Sequence, residues 1–518
     1  MAFKTKELMC RGYFPKELPH PFNSLKLVNI NNRSIYNQIN LINNSSISLP
    51  ISIPKIKYSR RELNIPNPLA FIKLAMEIDK SFSQIYTHIH KSKLSKSIPI
   101  HYSNGRAFGP KYWHGKLIDF RAEIYSKSRF ILNTDIQKFY PSVYTHSIPW
   151  ALHTKKVAKN HRNNLSYVGN RLDKLVRQGQ DNQTLGIPIG PDTSLFLAEV
   201  LLSSIDQEIN SQFQNVIGFR FVDDYCFGFK NYKDMEEVLS YLQILLRDYE
   251  LGINYEKTDL LETPIPLNSE WVHKIKDIDF RTTHYGFRND LIHLSDLFIS
   301  LSKKYPNDSI SKFGLSILAR QECSLSNWPL YQALLNEMMK GEPSLIFQVF
   351  NHYLKYYNLG YNINLNSLSD TLCEIIEWQS TMGNYFEVSY CLWFFIYFNI
   401  SIPSNTTQLI SRLENSLVAL LALDAESKNI LSNLDKSNWQ KIVDDPDELY
   451  NKNWLLAYEA VRKGWLLPST KNHARNDQFF KILFNNNVEF YNSNQILGRL
   501  KPILTSGSNP ATPQISLI

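Results

Sequence analysis

The spacing of apolar residues changes near residue 290. Before that point, strand-like apolar runs such as RFILNTDI (129–136) and GFRFVDDYCFGF (218–229) alternate with segments of helical spacing. The second run reads as one strand or as two strands that meet at a tight turn. PDTSLFLAEVLLSSIDQEI and KDMEEVLSYLQILLRDYEL are clear helical segments, and Pro191 and Asp192 are typical of a helix start. Beyond residue 290 the pattern is helical almost throughout.

The two patterns predict two domains, an α+β domain over residues 1–290 and an all-α domain over residues 291–518. A chain of 518 residues is too long for one ordinary core, which agrees with this division. Helical segments in the second domain recur at roughly 30–40 residues, as in a stack of helix pairs, although an irregular bundle fits as well. Residues 29–53 are rich in Asn, Ile and Ser, so we expect a loop or a weakly ordered extension there.

Charge is distributed unevenly along the chain. The whole chain has a net charge of +8, but residues 1–177 carry 29 Lys and Arg against 9 Asp and Glu. Residues 178–290 reverse the balance, with 9 against 19. A basic N-terminal third indicates a polyanionic partner such as nucleic acid or a nucleoside triphosphate. The alternative is a set of solvated, lysine-rich helices.

Cysteine usage and hydropathy exclude several classes of protein. The five cysteines are isolated and form no CxxC pair, so neither a zinc site nor a disulfide framework is indicated. The first residues, MAFKTKELMCRGYF, have no apolar run that resembles a signal peptide. The most apolar stretch, CLWFFIYFNISIP, is too short to cross a bilayer. We therefore expect a soluble cytoplasmic protein with no membrane partner.

Adjacent carboxylates within an apolar run need compensation. Asp223 and Asp224 lie inside such a run, and Asp135 ends another. Burying charged carboxylates without a partner is costly, and adjacent ones also repel each other. Divalent metal is the usual compensation, so the three aspartates predict a two-metal site for Mg²⁺, with Mn²⁺ as a substitute. A solvated turn is the alternative for the Asp-Asp pair taken alone.

A glycine-rich loop separates the two carboxylate motifs. In QTLGIPIGPDTSLFLAEV, Gly186, Pro188 and Gly190 form a tight turn before a helix. Backbone exposed in this way can approach a nucleotide. The alternative is an ordinary junction between a loop and a helix.

The order of these motifs resembles the palm of reverse transcriptases. NTDIQKFYPSVY resembles motif A, GIPIGPDTS motif B, FVDD motif C and LGINYEKT motif D, while SRRELNIPNPLAF resembles the fingers. Three segments resemble sequences of the abortive-infection (Abi) reverse transcriptases: RGYFPKELPHPF, FYPSVYTHSIPWALH and GIPIGPDTSLFLAEVLL. Among these AbiK-related proteins of bacterial phage defence, the shorter form carried by P2-like prophages is the nearest in length.

The resemblance implies a fold and an activity. The fold is a reverse-transcriptase-like fingers and palm domain followed by an α-helical, HEAT-like domain. The activity is template-independent, protein-primed polymerisation of dNTPs, which aborts phage infection in the bacterial cytoplasm. Implied partners are dNTPs and a single-stranded DNA product attached covalently to the protein. A homo-oligomer is also implied, with a trimer favoured over a hexamer.

The resemblance also assigns roles to single residues. Asp135, Asp223 and Asp224 hold the catalytic metals, and Lys257 acts on the leaving pyrophosphate. Arg61 binds the triphosphate, and Tyr140 excludes a ribose 2′-hydroxyl. Ile189 and Gly190 belong to the nucleotide-binding turn, where many template-dependent enzymes have Gln in place of Ile189. An aliphatic side chain there fits untemplated addition.

Two other functions stay open at this point. One is a template-dependent reverse transcriptase similar to retron or group II intron enzymes, which the basic N-terminal third favours. The other is a non-enzymatic scaffold built on the same fold, which the three intact aspartates disfavour. Protein priming requires a hydroxyl that reaches the metals, and the sequence does not single one out. Tyr13 and Tyr36 lie in the N-terminal extension and are weak candidates.

Overall fold

The computed structural model of the protein describes residues 3–56, 59–214 and 216–494. The strands are short and belong to three antiparallel sheets. They are β1 (Leu49–Pro54), β2 (Arg60–Ile65), β3 (Pro99–His101), β4 (Phe108–Pro110), β5 (Phe130–Asp135), β6 (Ile217–Phe221), β7 (Asp224–Phe229) and β8 (Asp259–Glu262). β1 pairs with β2 and β3 with β4, while the remaining strands form one sheet in the order β6-β7-β5-β8.

Helices surround these sheets in the first part of the chain. They are α1 (Phe3–Arg11), α2 (Arg33–Leu41), α3 (Pro68–Lys80), α4 (Phe82–Ile89), α5 (Leu117–Lys127), α6 (Phe139–Ser142), α7 (Ser147–His153), α8 (Lys155–Asn160), α9 (Val168–Gln178), α10 (Asp192–Gln212) and α11 (Tyr232–Asp248). Short 3₁₀ turns cover Leu25–Ile30, His114–Lys116 and Tyr255–Lys257. The predicted mixture of strands and helices is confirmed in this region.

Alternation along the strands gives the four-stranded sheet two buried faces. On one face, Ile131 of β5 and Cys226 of β7 pack with residues of α5. On the other face, Leu132 and Phe227 join the main hydrophobic core, and α11 packs against this sheet. Successive side chains of a strand point to opposite faces, so a run of apolar residues is expected where both faces are covered. β5 lies between β7 and β8, which places its C-terminal end at the centre of the sheet edge.

Between residues 270 and 494 the regular elements of the chain are helices, which confirms the predicted helix-rich second part. Its helices are α12 (Glu270–Lys276), α13 (His284–Lys304), α14 (Ile310–Leu318), α15 (Trp328–Gly341), α16 (Ile346–Asn358), α17 (Leu365–Thr381), α18 (Tyr385–Phe398), α19 (Ser404–Ser411), α20 (Ser416–Ser427), α21 (Ser437–Asp444), α22 (Trp454–Lys463), α23 (His473–Asn476) and α24 (Phe480–Asn485). Two 3₁₀ turns cover Pro343–Leu345 and Pro446–Leu449.

These helices stack in two layers. α13, α15, α17 and α19 contact one another in succession, as do α12, α14, α16, α18, α20 and α22. A helix therefore packs against the helix two positions later in the chain, which is the arrangement of a stack of helix pairs. α18 is apolar on all sides and buried at the centre of this array, because it packs against α16, α17, α20 and β1.

The helical array packs directly on the beginning of the chain. Phe22 forms an isolated bridge with Tyr491, and the Asn23 amide donates to the carbonyl of Phe490 over 2.9 Å. The Asn492 amide donates to the carbonyl of Pro21 over 2.8 Å. The helical region of the described chain therefore shares one continuous core with the N-terminal region.

Residues 29–53 are a structured part of this junction, so the expectation of a loop or weakly ordered extension was wrong. They form α2 and most of β1. The Ile47 amide donates 2.8 Å to the carbonyl of Tyr450, and the Ser46 amide donates 2.9 Å to that of Gln178. Partners far away in the sequence order this Asn- and Ser-rich segment, and its composition gives no sign of them.

Within the described residues, no helix combines the length and the apolar composition that a bilayer crossing requires.

Candidate active site

The adjacent aspartates lie at a tight hairpin turn between β6 and β7. Phe221 pairs with Asp224, which leaves Val222 and Asp223 as the two turn residues. Val222 has a φ of 54°, a conformation that β-branched residues rarely adopt. Asp223 is half-buried and Asp224 is exposed. Of the two sequence interpretations, a tight turn between two strands is the one observed.

The third aspartate ends the neighbouring strand. Asp135 of β5 pairs directly with Asp224 of β7, and the Ile136 amide donates 3.2 Å to the carbonyl of Asp223. Paired residues on adjacent antiparallel strands project on the same face, so the two carboxylates are neighbours. Asp135 is only 6% exposed, and its Oδ1 atom is buried without a hydrogen-bond partner. The structure therefore brings together the three aspartates that the sequence singled out.

Burial and neighbouring carboxylates raise the pKa values of Asp223 and Asp224. Burial raises the pKa of Asp223 to about 7, and repulsion from Asp224 and Asp135 adds to the effect. The surrounding protein partly desolvates the Asp224 carboxylate although the residue is exposed, and this desolvation together with the charge of Asp135 raises the pKa of Asp224 to about 6. Ionised carboxylates in this position need a nearby cation. Carboxylates with pKa values perturbed in this way are typical of functional sites.

The donor set fits a divalent cation. In the part of the chain that the structure describes, no three His, Cys, Asp or Glu side chains already stand at ligand positions around one point. The unpartnered Oδ1 of Asp135 and the mutually repelling pair at the turn nevertheless supply the hard oxygen donors that Mg²⁺ prefers. Asp135, Asp223 and Asp224 would hold the metal, which when bound activates an attacking hydroxyl and neutralises a leaving pyrophosphate.

Lys257 supplies the cation that contacts Asp135 in the structure. Its ammonium donates to Asp135 Oδ2. The 3₁₀ turn Tyr255–Lys257 is held beside β5 because the Asn254 amide donates 2.7 Å to the carbonyl of Asp135. Burial acts to lower the pKa of Lys257, but the bond to Asp135 and the nearby aspartates raise it overall. Lys257 therefore stays protonated at neutral pH and can donate a proton.

Replacing Lys257 with Met is expected to lower kcat for nucleotide addition by about 100-fold, because a positioned proton donor typically contributes that much. The KM for the nucleotide should change less than kcat. Single-turnover kinetics with labelled dNTP measure both quantities. Lys230→Met is the control, because Lys230 is an exposed lysine at the opposite end of β7. Equal rates for the two variants would contradict the role of Lys257.

Electrostatic interactions connect two of the predicted nucleotide-binding residues, Tyr140 and Arg61, with the surroundings of the carboxylates. Burial and the charge of Asp223 raise the pKa of Tyr140, while Arg61 acts to lower it. Tyr140 is half-buried and packs edge-on against Phe139, with 5.3 Å between ring centroids, and Phe139 is buried in the core as expected. Arg61 lies on β2 opposite Ile53. The charge of Asp223 thus acts on Tyr140, and Arg61 acts on Tyr140 and on Lys55, while the roles of Tyr140 and Arg61 toward a nucleotide stay predictions.

The glycine-rich loop of residues 186–190 packs against other parts of the chain. Gly190 has a φ of 126°, and a Cβ there would lie 2.6 Å from the ring of Pro15. Its carbonyl accepts a 2.7 Å hydrogen bond from Arg106, a residue the sequence did not single out. Ile189 is half-buried against the core, and its carbonyl accepts from the Asn64 amide over 2.9 Å. The loop is thus fixed by the N-terminal segment and by β2.

A buried ionic network supports the aspartate turn, and sequence reasoning missed it. Arg220 is fully buried and pairs with Glu199 at 2.9 Å and with Asp206 at 2.8 Å, both also fully buried. Its Nη1 also donates 3.0 Å to the carbonyl of Val222, while the Val222 amide donates 2.7 Å to Ser97 Oγ. The strained turn residue is therefore held on both sides. A charged residue inside the apolar run FRFV was the available signal.

Neither weak priming candidate is accessible in the structure, which corrects that expectation. Tyr13 is fully buried, its hydroxyl donates to the carbonyl of Pro66, and its ring stacks on Phe71 at 4.1 Å. Tyr36 is buried against the core, and its hydroxyl donates 2.7 Å to Asn31 Oδ1. Both tyrosines belong to the hydrophobic core, so neither hydroxyl is free to reach the carboxylates.

Comparison with known proteins agrees with the geometry of the site. Residues 79–279 match the family model described as "Reverse transcriptase (RNA-dependent DNA polymerase)". This range includes all three aspartates and Lys257, so these residues form a polymerase domain of the reverse transcriptase type, a nucleotidyltransferase. No curated protein sequence matches the chain.

Several solved structures of yeast telomerases are similar to the chain. Apo telomerase from Candida tropicalis, truncated from its C-terminal domain, is 12% identical with a TM-score of 0.31, over 43% of this chain and 51% of that chain. Apo telomerase from the same organism is 10% identical with a TM-score of 0.32, over 61% and 68%. Telomerase from Candida albicans in complex with a TWJ fragment of telomeric RNA is 13% identical with a TM-score of 0.27, over 78% and 66%.

The chain thus spans about half the length of the first of these telomerases. At TM-scores below 0.5, these similarities carry no inference about its function.

Proposed function

We propose that the protein is an abortive-infection DNA polymerase of the Abi type, which adds dNTPs without a template and begins synthesis on one of its own hydroxyls. The observation that carries the polymerase assignment is the meeting of Asp135, Asp223 and Asp224 at the end of the central strand. Ile189 in the turn before α10 supports untemplated addition, because its aliphatic side chain offers no polar contact to a template base.

The proposed mechanism gives each side chain a task. The three aspartates would hold Mg²⁺, or Mn²⁺ in its place, and the metal would supply positive charge for the triphosphate. Lys257 holds a proton at Nζ that it can transfer to the leaving pyrophosphate. Tyr140 excludes a 2′-hydroxyl, and Arg61 binds phosphate with its planar fork of donors.

The proposal extends to partners and organisation. Residues 1–290 are the polymerase domain, and residues 291–518 are a HEAT-like domain whose layered helices suit assembly into a homo-oligomer, with a trimer favoured. The growing DNA strand remains covalently attached to the protein, and the site of action is the bacterial cytoplasm during phage infection. The two-layer stacking of α13 to α22 supports the HEAT-like description.

One incubation tests the activity. Purified protein is mixed with Mg²⁺ and labelled dNTPs, without primer or template, and is run on a denaturing protein gel before and after DNase treatment. We expect a DNase-sensitive smear above the protein band, because the product is covalently attached. An identical reaction with the Asp223→Asn variant should leave the band unlabelled.

Two other outcomes would contradict the proposal. DNA that migrates free of protein would overturn protein priming. Product that forms only with a primed RNA template, and that copies its sequence, would establish template-dependent reverse transcription instead. The excess of cations in residues 1–177 favours that second candidate, since a template strand is a polyanion.

A further inference from the structure

The helical array places a cation against the hairpin that carries Arg61. Lys312 lies in the first turn of α14 and is half-buried. Its ammonium donates a 3.1 Å hydrogen bond to the carbonyl of Lys55, at the end of the hairpin formed by β1 and β2. A residue that is distant in sequence from the polymerase motifs is thereby fixed against the fingers hairpin.

Lys312 belongs to a group of cations that we call the phosphate cluster, formed by Lys55, Arg61 and Lys312. Among the described residues, no carboxylate forms an ion pair with any of the three, whereas the neighbouring Arg60 pairs with Glu387 at 2.7 Å. Glu342 is the nearby carboxylate that acts on Lys312, but its Oε1 accepts from Ser344 over 2.9 Å. Unpaired cations gathered in a partly buried place destabilise the folded protein unless an anion binds them.

The charges that act on Lys55 and Lys312 agree with a cluster of unpaired cations. Burial lowers the pKa of Lys55, and the charges of Arg61 and Lys257 add to the effect, while Asp135 and Asp223 oppose it. Burial also lowers the pKa of Lys312, with Arg61 and Lys55 acting in the same direction. Asp135 and Asp223 therefore act electrostatically on Lys55, and Lys55 and Arg61 act electrostatically on Lys312. Arg61 pairs with Ile53, two residues before Lys55, so the side chains of Arg61 and Lys55 are expected on the same face of the hairpin.

We propose that the phosphate cluster binds the polyphosphate of the incoming nucleotide, so that Lys312 makes the helical array part of the nucleotide site. The inference rests on the proposed function and deepens it. A guanidinium fork and two point charges on one side, with metal-holding carboxylates on the other, suit a chain of phosphates between them. The same phosphate chemistry could be supplied by the growing DNA strand. The nucleotide is favoured because β2, which carries Arg61, also holds the glycine-rich loop through the 2.9 Å bond from the Asn64 amide to the carbonyl of Ile189.

The nucleotide then bridges two parts of the molecule. The hairpin carries Lys55 and Arg61, and α14 carries Lys312. A bound polyphosphate links them by charge, in addition to the single hydrogen bond that joins Lys312 to Lys55. We therefore expect polyphosphate binding to stabilise the contact between the hairpin and the helical array.

Kinetics of Lys312→Gln test the proposal. We expect the KM for dNTP to rise about tenfold while kcat stays within about twofold, because a charge-assisted contact to the ground-state phosphates is lost. Inhibition by pyrophosphate should weaken by a similar factor. Lys312→Arg should retain most of the wild-type KM. Lys303→Gln is the matched control, because Lys303 is an exposed lysine on the adjacent helix α13.

A second measurement does not require DNA synthesis. Inorganic tripolyphosphate should raise the Tm of the wild type and of Lys303→Gln, and raise that of Lys312→Gln clearly less. If the wild type makes no DNA, the proposed function fails, and the thermal shifts still decide the present inference. Equal shifts for the two Gln variants overturn it. An unchanged KM together with shorter products would assign Lys312 to the DNA strand and would also overturn it.

Discussion

Replacing Asp223 with Asn is expected to lower the rate of nucleotide addition by at least about 1000-fold while making the protein more stable. The carboxylate is one of three that would hold the metal, and an amide oxygen without charge binds Mg²⁺ weakly. The stability change has the opposite sign, because Asp223 sits beside two like charges. Loss of activity and gain of stability from one substitution would distinguish a functional carboxylate from a structural one.

The stability gain should depend on pH. The pKa of Asp223 is about 7 in the folded protein, above that of an unfolded aspartate, so the folded state binds the proton more tightly. In the wild type, stability from this group is present below pH 4 and is lost as the pH rises toward 7. Without metal, Asp223→Asn should therefore match the wild type near pH 4. Above pH 7 it should exceed the wild type by on the order of 1 kcal/mol, after allowance for solvent screening.

Thermal unfolding at pH 5 and pH 8, with and without Mg²⁺, measures these differences. Mg²⁺ should raise the Tm of the wild type at pH 8 and have little effect on the variant. Asp234→Asn is a suitable control, because Asp234 is exposed in the first turn of α11, away from the carboxylate site. An Asp223→Asn variant that is less stable than the wild type at pH 8 would contradict the picture of mutual repulsion.

Replacing Arg220 with Met is expected to lower the free energy of unfolding by about 3–5 kcal/mol, since it leaves two buried carboxylates without their cation. Glu199 and Asp206 are fully buried, and both depend on this guanidinium. Burial acts to raise the pKa of Glu199, but the Arg220 guanidinium outweighs this effect and helps to hold the pKa below its usual range. Denaturant unfolding gives the loss directly. Arg171→Met, which breaks a partly exposed pair with Glu77, should cost clearly less.

A combined variant distinguishes the contribution of the buried ionic network to stability from its support of the turn at Val222. Arg220→Met together with Glu199→Gln and Asp206→Asn removes the charges as a group, which can restore much of the lost stability. The bond from Arg220 to the carbonyl of Val222 is still missing, so the rate of nucleotide addition should remain low. A combined variant with full stability and wild-type activity would show that the network only stabilises the fold.

The elements that could be predicted from the sequence are those with a strongly periodic apolar pattern or with partners nearby in the sequence. The long helices α10 and α11 and strand β5 appear where apolar spacing indicated them. The meeting of Asp135 with the Asp-Asp turn followed from two apolar runs that each bring a carboxylate to a strand end. These features depend on local propensity and on sheet pairing, which a single sequence records.

Features that depend on distant partners were not predictable. Residues 29–53 are ordered by contacts with Gln178 and Tyr450, and a local window contains neither residue. Lys312 reaches Lys55 only because the helical array folds back onto the hairpin. Ser97 joins the turn at Val222 across more than a hundred residues. In each case tertiary packing decided the outcome, and the segment's own composition gave no signal for it.

The pairing of Pro21, Phe22 and Asn23 with Phe490, Tyr491 and Asn492 has a consequence for synthesis on the ribosome. Proteins emerge from the N-terminus, and domains commonly fold as they emerge. Here Pro15 packs against Gly190, and the segment that follows Pro15 pairs with residues 490–492. These partners become available only when the last described helices have left the ribosome. We therefore expect a nascent or prematurely ended chain to lack part of the support of its glycine-rich loop, and the polymerase site to be completed only when the helical array has been translated.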